Sequence, residues 1–134
     1  MRNIYFVLFM SIFFMIIGCK EEYGKDFIGI WEQVEGNEFP SQLTIKLDNH
    51  VYHVDYKYFD LNVAEKKLNQ ETSDYFLGKT KEFPSKSKSF GKDSYRVKAL
   101  EAKALSNTVL QGNDFSLRLE NGKLKFNEEV YEKK

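Results

Sequence analysis

Gln42-Leu43-Thr44-Ile45-Lys46-Leu47, then Asp48-Asn49, then a run from His50 to Phe59 (His-Val-Tyr-His-Val-Asp-Tyr-Lys-Tyr-Phe) decides the fold. Both arms alternate apolar and polar side chains, the period of a strand with one buried face. Asp48 and Asn49 tolerate the positive φ that a two-residue hairpin loop needs. With that loop, Leu47 faces His50, Ile45 faces Tyr52 and Leu43 faces Val54. Tyr56 and Tyr58 continue this face, while Thr44, Lys46, His53, Asp55 and Lys57 occupy the other. One register thus puts nearly every large apolar side chain on one side, as a half-buried sheet requires.

A second hairpin ends the chain. Phe115 to Glu120 leads into Asn121-Gly122, the strongest short hairpin signal, and Lys123 to Phe126 returns. This register opposes Glu120 with Lys123 and Arg118 with Lys125 on one face. On the other it opposes Leu119 with Leu124 and Leu117 with Phe126. A further turn at Asn127-Glu128 folds Glu129 to Glu132 back and brings Tyr131 opposite Leu124. The expected result is a three-stranded meander with Leu119, Leu124 and Tyr131 as an inward column.

Between the hairpins, Ser94 to Leu100 and Ala104 to Gln111 read as two strands, with Tyr95, Val97 and Ala99 alternating in the first. The competing reading is a helix from Lys98 to Leu105, where the propensity is high. Ser106-Asn107-Thr108-Val109 and the turn at Gly112-Asn113 break that pattern too soon, which favours strands. Asp60 to Glu71 accommodates a short helix, with Asn62 as cap and Ala64 and Leu68 as a thin apolar stripe. Glu-Phe-Pro-Ser occurs at 38–41 and again at 82–85, but the flanks do not align. It reads as a turn leading into a strand, used twice, and not as a repeat unit.

Phe27 to Val34 is apolar and β-prone, and it contains Gly29-Ile30-Trp31. A GxW at the start of a first strand resembles lipocalin-like barrels. The resemblance implies that the glycine permits a tight bend and that the tryptophan plugs the closed end. Read without it, Trp31 is a large core residue. Ser73-Asp74-Tyr75 has the look of a second lipocalin motif but sits mid-chain. Taken together, these strands predict an all-β domain over 27–134, a small antiparallel, mostly up-and-down barrel of about eight strands, lipocalin-like in outline.

The N-terminus reads as an address. Arg2 is the only charge before position 20, and Ile4 to Ile17 is apolar apart from Ser11. As a helix this run spans roughly 21 Å, against the ~30 Å of a bilayer core, so it suits a secretory signal better than a transmembrane helix. Ile16-Ile17-Gly18-Cys19 resembles the lipobox of bacterial lipoproteins. That resemblance implies cleavage between Gly18 and Cys19, a diacylglycerol on the Cys19 thiol and usually acylation of the new amine. Two or three acyl chains, at ~0.8 kcal/mol per buried methylene, anchor a protein stably. Residues 1–18 would then be signal peptide and 19–26 a lipidated tether. The mature chain would face the periplasm from the outer membrane of a bacterial envelope, since Lys20 and not Asp follows the cysteine. A lone cysteine forms no internal disulfide, and no helper for metal or thiol chemistry adjoins it.

The mature chain has 116 residues, enough for one domain with one modest core. Its formal charge is −1 once Arg2 is removed, which argues against nucleic acid as a partner. His50 and His53 point to opposite faces of a regular strand and cannot share a metal. No G-x-S-x-G elbow, Walker or Rossmann pattern occurs. The expectation is therefore a non-enzymatic chain with no cofactor and no metal. Tyr52, Tyr56 and Tyr58, with Trp31, either fill the core or line a pocket for a small apolar ligand. Residues 79–98 hold seven basic groups, Lys79, Lys81, Lys86, Lys88, Lys92, Arg96 and Lys98, against Glu82 and Asp93. They either solubilise an irregular loop or, with Lys79, Lys81, Lys86, Lys88 and Lys92 foremost, contact an anionic surface. The function that follows is membrane-anchored, non-catalytic binding, of an envelope protein in an inhibitor-like or immunity-like role. Carriage of a small apolar ligand is the alternative, and an envelope hydrolase a remote third.

Overall fold

The computed structural model describes residues 22–34, 36, 38–85 and 90–134. Strands β1 (Gly29–Gln33), β2 (Gln42–Asp48) and β3 (Val51–Phe59) lead to helix α1 (Leu61–Phe76). Five strands follow: β4 (Tyr95–Ser106), β5 (Val109–Gln111), β6 (Ser116–Glu120), β7 (Lys123–Phe126) and β8 (Glu129–Lys133). Each strand pairs antiparallel with the next, and β8 returns to β1 through Trp31–Lys133, Glu32–Glu132 and Gln33–Tyr131. The expected eight-stranded up-and-down barrel is what forms.

Because successive strands reverse direction, the connections sort to two ends. The near end carries residues 22–28 and the turns at 49–50, 107–108 and 121–122. The far end carries 34–41, the long connection 60–94, the loop 112–115 and the turn at 127–128.

The interior is filled from the near end up to the level of Leu43 and Tyr131. Phe27, Leu43, Val54, Leu110, Leu117, Leu124 and Tyr131 are completely buried, and Trp31, Ile45 and Tyr52 nearly so. Each such side chain contributes ~1.5–3 kcal/mol relative to exposure. Residues 22–28 plug this end: Gly24 donates its N–H to Asn107 Oδ1, and the Tyr52 hydroxyl donates to the Tyr23 carbonyl. A Cβ on Gly24 would stand 3.0–3.2 Å from Leu110, Tyr52 and Ala104, tighter than usual contact, and the φ of 87° there is one that other residues rarely adopt, so glycine suits a plug this deep. Gly29 bends with a φ of 137°, a conformation other residues rarely adopt.

The closing meander forms in the expected register, with Glu120–Lys123, Leu119–Leu124, Arg118–Lys125 and Leu124–Tyr131 paired. The first hairpin differs. Its loop is Asn49-His50, with φ of 47° and 63°, and not Asp48-Asn49. The pairs become Leu47–Tyr52, Ile45–Val54 and Leu43–Tyr56. Asparagine and histidine both accept the left-handed region, and the shift places His50 in solvent instead of opposite Leu47 on the core face, where an imidazole is costly. A one-position move of the loop shifts every pair by two residues, so the assignment of faces survives.

Two strands form between 94 and 111, as expected, but the break falls at Asn107-Thr108 and not at 101–103, so β4 runs unbroken to Ser106 and β5 is short. Ala99 to Ala104 has helix propensity, but it also alternates: Leu100, Ala102 and Ala104 face in, Glu101, Lys103 and Leu105 face out. Propensity differences of up to ~0.7 kcal/mol per residue lose to an eight-pair ladder with β3. Tyr95, Val97 and Ala99 alternate as expected but on the outer face, and Val97 is 62% exposed.

α1 runs to Phe76, well past Glu71. Its cap is Asp60, whose Oδ1 accepts from the N–H groups of Asn62 and Val63 at 3.0 and 3.3 Å, in place of Asn62. Asp60 is the last residue before the helix and keeps the extended backbone a cap requires. Ala64 is buried and Leu68 half-buried, as the stripe predicted. Of the two Glu-Phe-Pro-Ser segments, the one at 38–41 leads into β2, whereas the four residues that follow the one at 82–85 lie outside the described residues.

Candidate functional site

The far half of the barrel is built differently. β4 pairs with β3 from Tyr95 to Ala102, but with β5 only at Lys103, Ala104 and Ser106. β5 ends at Gln111, and the chain then turns sharply: Gly112 donates its N–H to the Phe115 carbonyl at 2.9 Å, and Gln111 Nε2 donates to the carbonyls of Gly112 and Phe115. The wall between the first half of β4 and the loop 112–115 is therefore split.

A cavity of about 450 Å³ opens in that split. Its apolar part is Tyr56, Leu100, Phe115 and Phe126, and its lip is Lys98, Glu101, Asn113, Asp114 and Asn127. Phe126 meets Tyr56 edge-on at 5.0 Å and Phe115 at 5.9 Å, which fixes the rings as a floor. Lys98 is opposite Tyr56 in the ladder, so it lies on the inner side of the wall. A smaller cavity of about 300 Å³ follows the outside of the same seam, along Val51, Glu101–Lys103 and Gln111–Asn113.

Beneath the mouth a polar network seals the core. Gln33 Oε1 accepts from the Ser41 N–H at 3.1 Å and from the Ser41 hydroxyl at 2.9 Å. Gln33 Nε2 donates to Glu129, and Ser41 Oγ lies 3.1 Å from the Tyr131 hydroxyl. Burial pushes the Tyr131 phenol up to about 12, and the hydrogen bond with Ser41 only partly offsets it. The phenol thus stays neutral in ordinary conditions and serves as a fixed hydrogen-bonding group.

The predicted pocket residues separate. Trp31 and Tyr52 belong to the plugged end, where Trp31 Nε1 donates to the Phe27 carbonyl and Tyr52 lines a cavity of about 270 Å³ with Tyr23, Leu47 and His50. Tyr56 lines the far cavity, and Tyr58 stacks on it at 5.1 Å. Leu100, Phe115 and Phe126 were not singled out by the sequence, and Lys98 read only as part of the basic stretch 79–98; it emerges as inward once β4 is one strand in register with β3.

Of the predicted basic group, Lys79 lies 3.6 Å from Asp74, and Lys81 and Lys92 are exposed. Lys86 and Lys88 lie outside the described residues, as do Gly18 and Cys19. On the same connection, exposed Phe76 and Phe83 flank Tyr75 edge-on at 5.7 and 5.2 Å. His50 Nδ1 is 3.1 Å from Glu22, and His53 Nδ1 is 3.7 Å from Glu101. Among the described residues, no group of three His, Cys, Asp or Glu side chains is placed to hold a metal. No protein-family model, no curated protein and no solved structure matches the chain.

Proposed function

We propose that this chain is a lipid-anchored bacterial envelope protein acting by non-catalytic binding, with its binding surface at the far end of the barrel and a protein as its partner. The observation that carries the reading is the asymmetry of the barrel. One end is plugged by residues 22–28 and has only the smaller cavity beside Tyr52, while the other has a split wall, a larger cavity with an aromatic floor and a rim of both charge signs. The orientation also favours it. Glu22 belongs to the plugged end, and the three residues from there back to Cys19 span at most about 11 Å. A lipid on Cys19 therefore holds the plugged end toward the membrane and turns the split end toward the periplasm.

Carriage of a small apolar ligand is the second reading. The far cavity falls within the ~300–1,000 Å³ of small-ligand sites, but one tyrosine and two phenylalanines under a charged lip enclose such a ligand poorly.

Two experiments test the proposal. Blocking lipoprotein signal cleavage with globomycin, or the change Cys19→Ala, is expected to leave a larger precursor and abolish detergent-phase partitioning of the mature form. Unchanged size and partitioning would remove the envelope role. Native mass spectrometry of the full chain released from envelope membranes in mild detergent is expected to retain a protein partner, which Lys98→Glu displaces. A retained small mass in its place selects the carrier reading.

A further inference from the structure

The split wall leaves one strand with an open edge, and the hairpin register shows which backbone groups line it. In a two-residue hairpin the residues flanking the loop form a hydrogen-bonded pair, here Asp48 and Val51. Along an antiparallel ladder hydrogen-bonded pairs recur every second residue. The odd residues of β3 therefore direct their N–H and C=O groups to β2, and the even ones (Tyr52, Val54, Tyr56, Tyr58) direct theirs to β4. Their partners on β4 are Ala102, Leu100, Lys98 and Arg96. Hence Val97, Ala99 and Glu101 turn their backbone donors and acceptors away from β3. Lys103, next in that series, bonds in register with Gln111 of β5, which agrees with the parity. Val97, Ala99 and Glu101 have no such strand beside them among the described residues, and their side chains are exposed. Tyr95 is different, since its N–H already bonds the Lys92 carbonyl.

We infer that β4 accepts an added strand: an extended segment of a partner protein, antiparallel to β4 along Val97–Glu101, taking the line that β5 abandons at Gln111. This rests on the protein-binding reading above and specifies its mode. The two cavities give the room, one inside the seam and one outside, both touching Glu101 and Asn113. Strand addition draws affinity from the main chain and specificity from alternate side chains. The guest residue opposite Leu100 points inward onto Tyr56, Phe115 and Phe126 and is therefore apolar. The guest residue opposite Lys98 also points inward and is acidic. The guest residue opposite Glu101 points outward and is basic. Read from its own N-terminus, the guest runs basic–apolar–any–acidic–any.

A second copy of this chain pairing through its own β4 does not meet that requirement. An antiparallel pairing of two β4 strands sets inward residues against inward residues, so Lys98 would meet Arg96, Lys98, Leu100 or Ala102, none of them acidic. Charge complementarity therefore selects a different protein.

The test uses the full lipidated chain in detergent micelles and a blocked pentapeptide, Lys-Leu-Thr-Glu-Val, in large excess. Amide hydrogen exchange is expected to slow by about tenfold or more at Val97, Ala99 and Glu101, and to stay unchanged at Arg96, Lys98 and Leu100, which already bond β3. Methylating the threonine nitrogen of the peptide removes a donor aimed at Ala99 and is expected to abolish the effect. Methylating the glutamate nitrogen, which points away from β4, leaves it intact. Ala99→Pro deletes a donor that no ladder uses, so the barrel is expected to melt as before while peptide binding is lost. Uniform slowing of odd and even amides, no slowing at all, or equal binding of both methylated peptides overturns strand addition. If the protein partner found by native mass spectrometry is displaced by Lys98→Glu but persists with Ala99→Pro, protein binding stands and strand addition falls. If neither a partner nor peptide protection is observed, both fall.

Discussion

Trp31 donates its indole Nε1–H to the carbonyl oxygen of Phe27 at 2.8 Å, inside the core. The bond ties the plug to the first strand of the wall and satisfies a carbonyl that water cannot reach. Trp31→Phe keeps much of the ring volume but leaves that carbonyl without a donor, a loss of about 1–3 kcal/mol. For a domain of this size each kcal/mol lowers Tm by roughly 4–8 °C. Thermal melting followed by far-ultraviolet circular dichroism measures it; a melt identical to the parent would mean that the bond contributes nothing.

Tyr131 should govern the alkaline limit of the fold. Its folded pKa is raised to about 12 from an ordinary 10.0, chiefly by burial. Protonation is therefore favoured in the folded state, so the contribution is intact below pH 10 and declines as pH rises from 10 toward 12. Tyr52 and Tyr95 are shifted the same way, each mainly by burial, and add to the same loss. Denaturant titrations from neutral to strongly alkaline pH are expected to show falling stability above pH 10, with a shallower fall in Tyr131→Phe.

His50 is the second loop residue of the first hairpin, with φ of 63° and its side chain in solvent. Glycine accepts that backbone without penalty, whereas a residue with a Cβ loses roughly 1 kcal/mol there. The exposed contact with Glu22 that His50→Gly removes contributes less, at most about 1 kcal/mol and commonly near zero. His50→Gly is thus expected to raise the denaturation midpoint with an unchanged slope. A lower midpoint would assign the Glu22 contact a larger role than its exposure allows.

Asp60 caps a helix that is weakly held. Ala64 is the only fully buried residue of α1, and the helix makes few contacts with the strands. Asp60→Ala is expected to cost about 1 kcal/mol, and most of that cost should appear locally. Amide exchange along 61–76 would accelerate while the barrel amides keep their protection. Equal acceleration in β2 and β3 would show that helix and barrel unfold as one unit.

Much of the barrel was legible in the residue pattern because hairpins are local. Asn121-Gly122 sets its own register through backbone geometry, and alternation from Leu43 to Tyr58 assigns faces that survive even a displaced loop. The site was less legible. Lys98 reads as one more surface lysine, and Phe115 and Phe126 as ordinary strand residues, until β4 is in place against β3.

The amino-acid order by itself determined strand count, face assignment, the closing meander and the expectation of an exported, lipid-modified chain, all matters of short-range pattern. Tertiary structure alone decided the register in which β8 closes on β1, that β4 would run unbroken through Glu101–Lys103, and where the wall would part. Those outcomes depend on ladders between residues far apart in the chain. The free energy of such a ladder belongs to the pair of strands, and neither strand carries it alone.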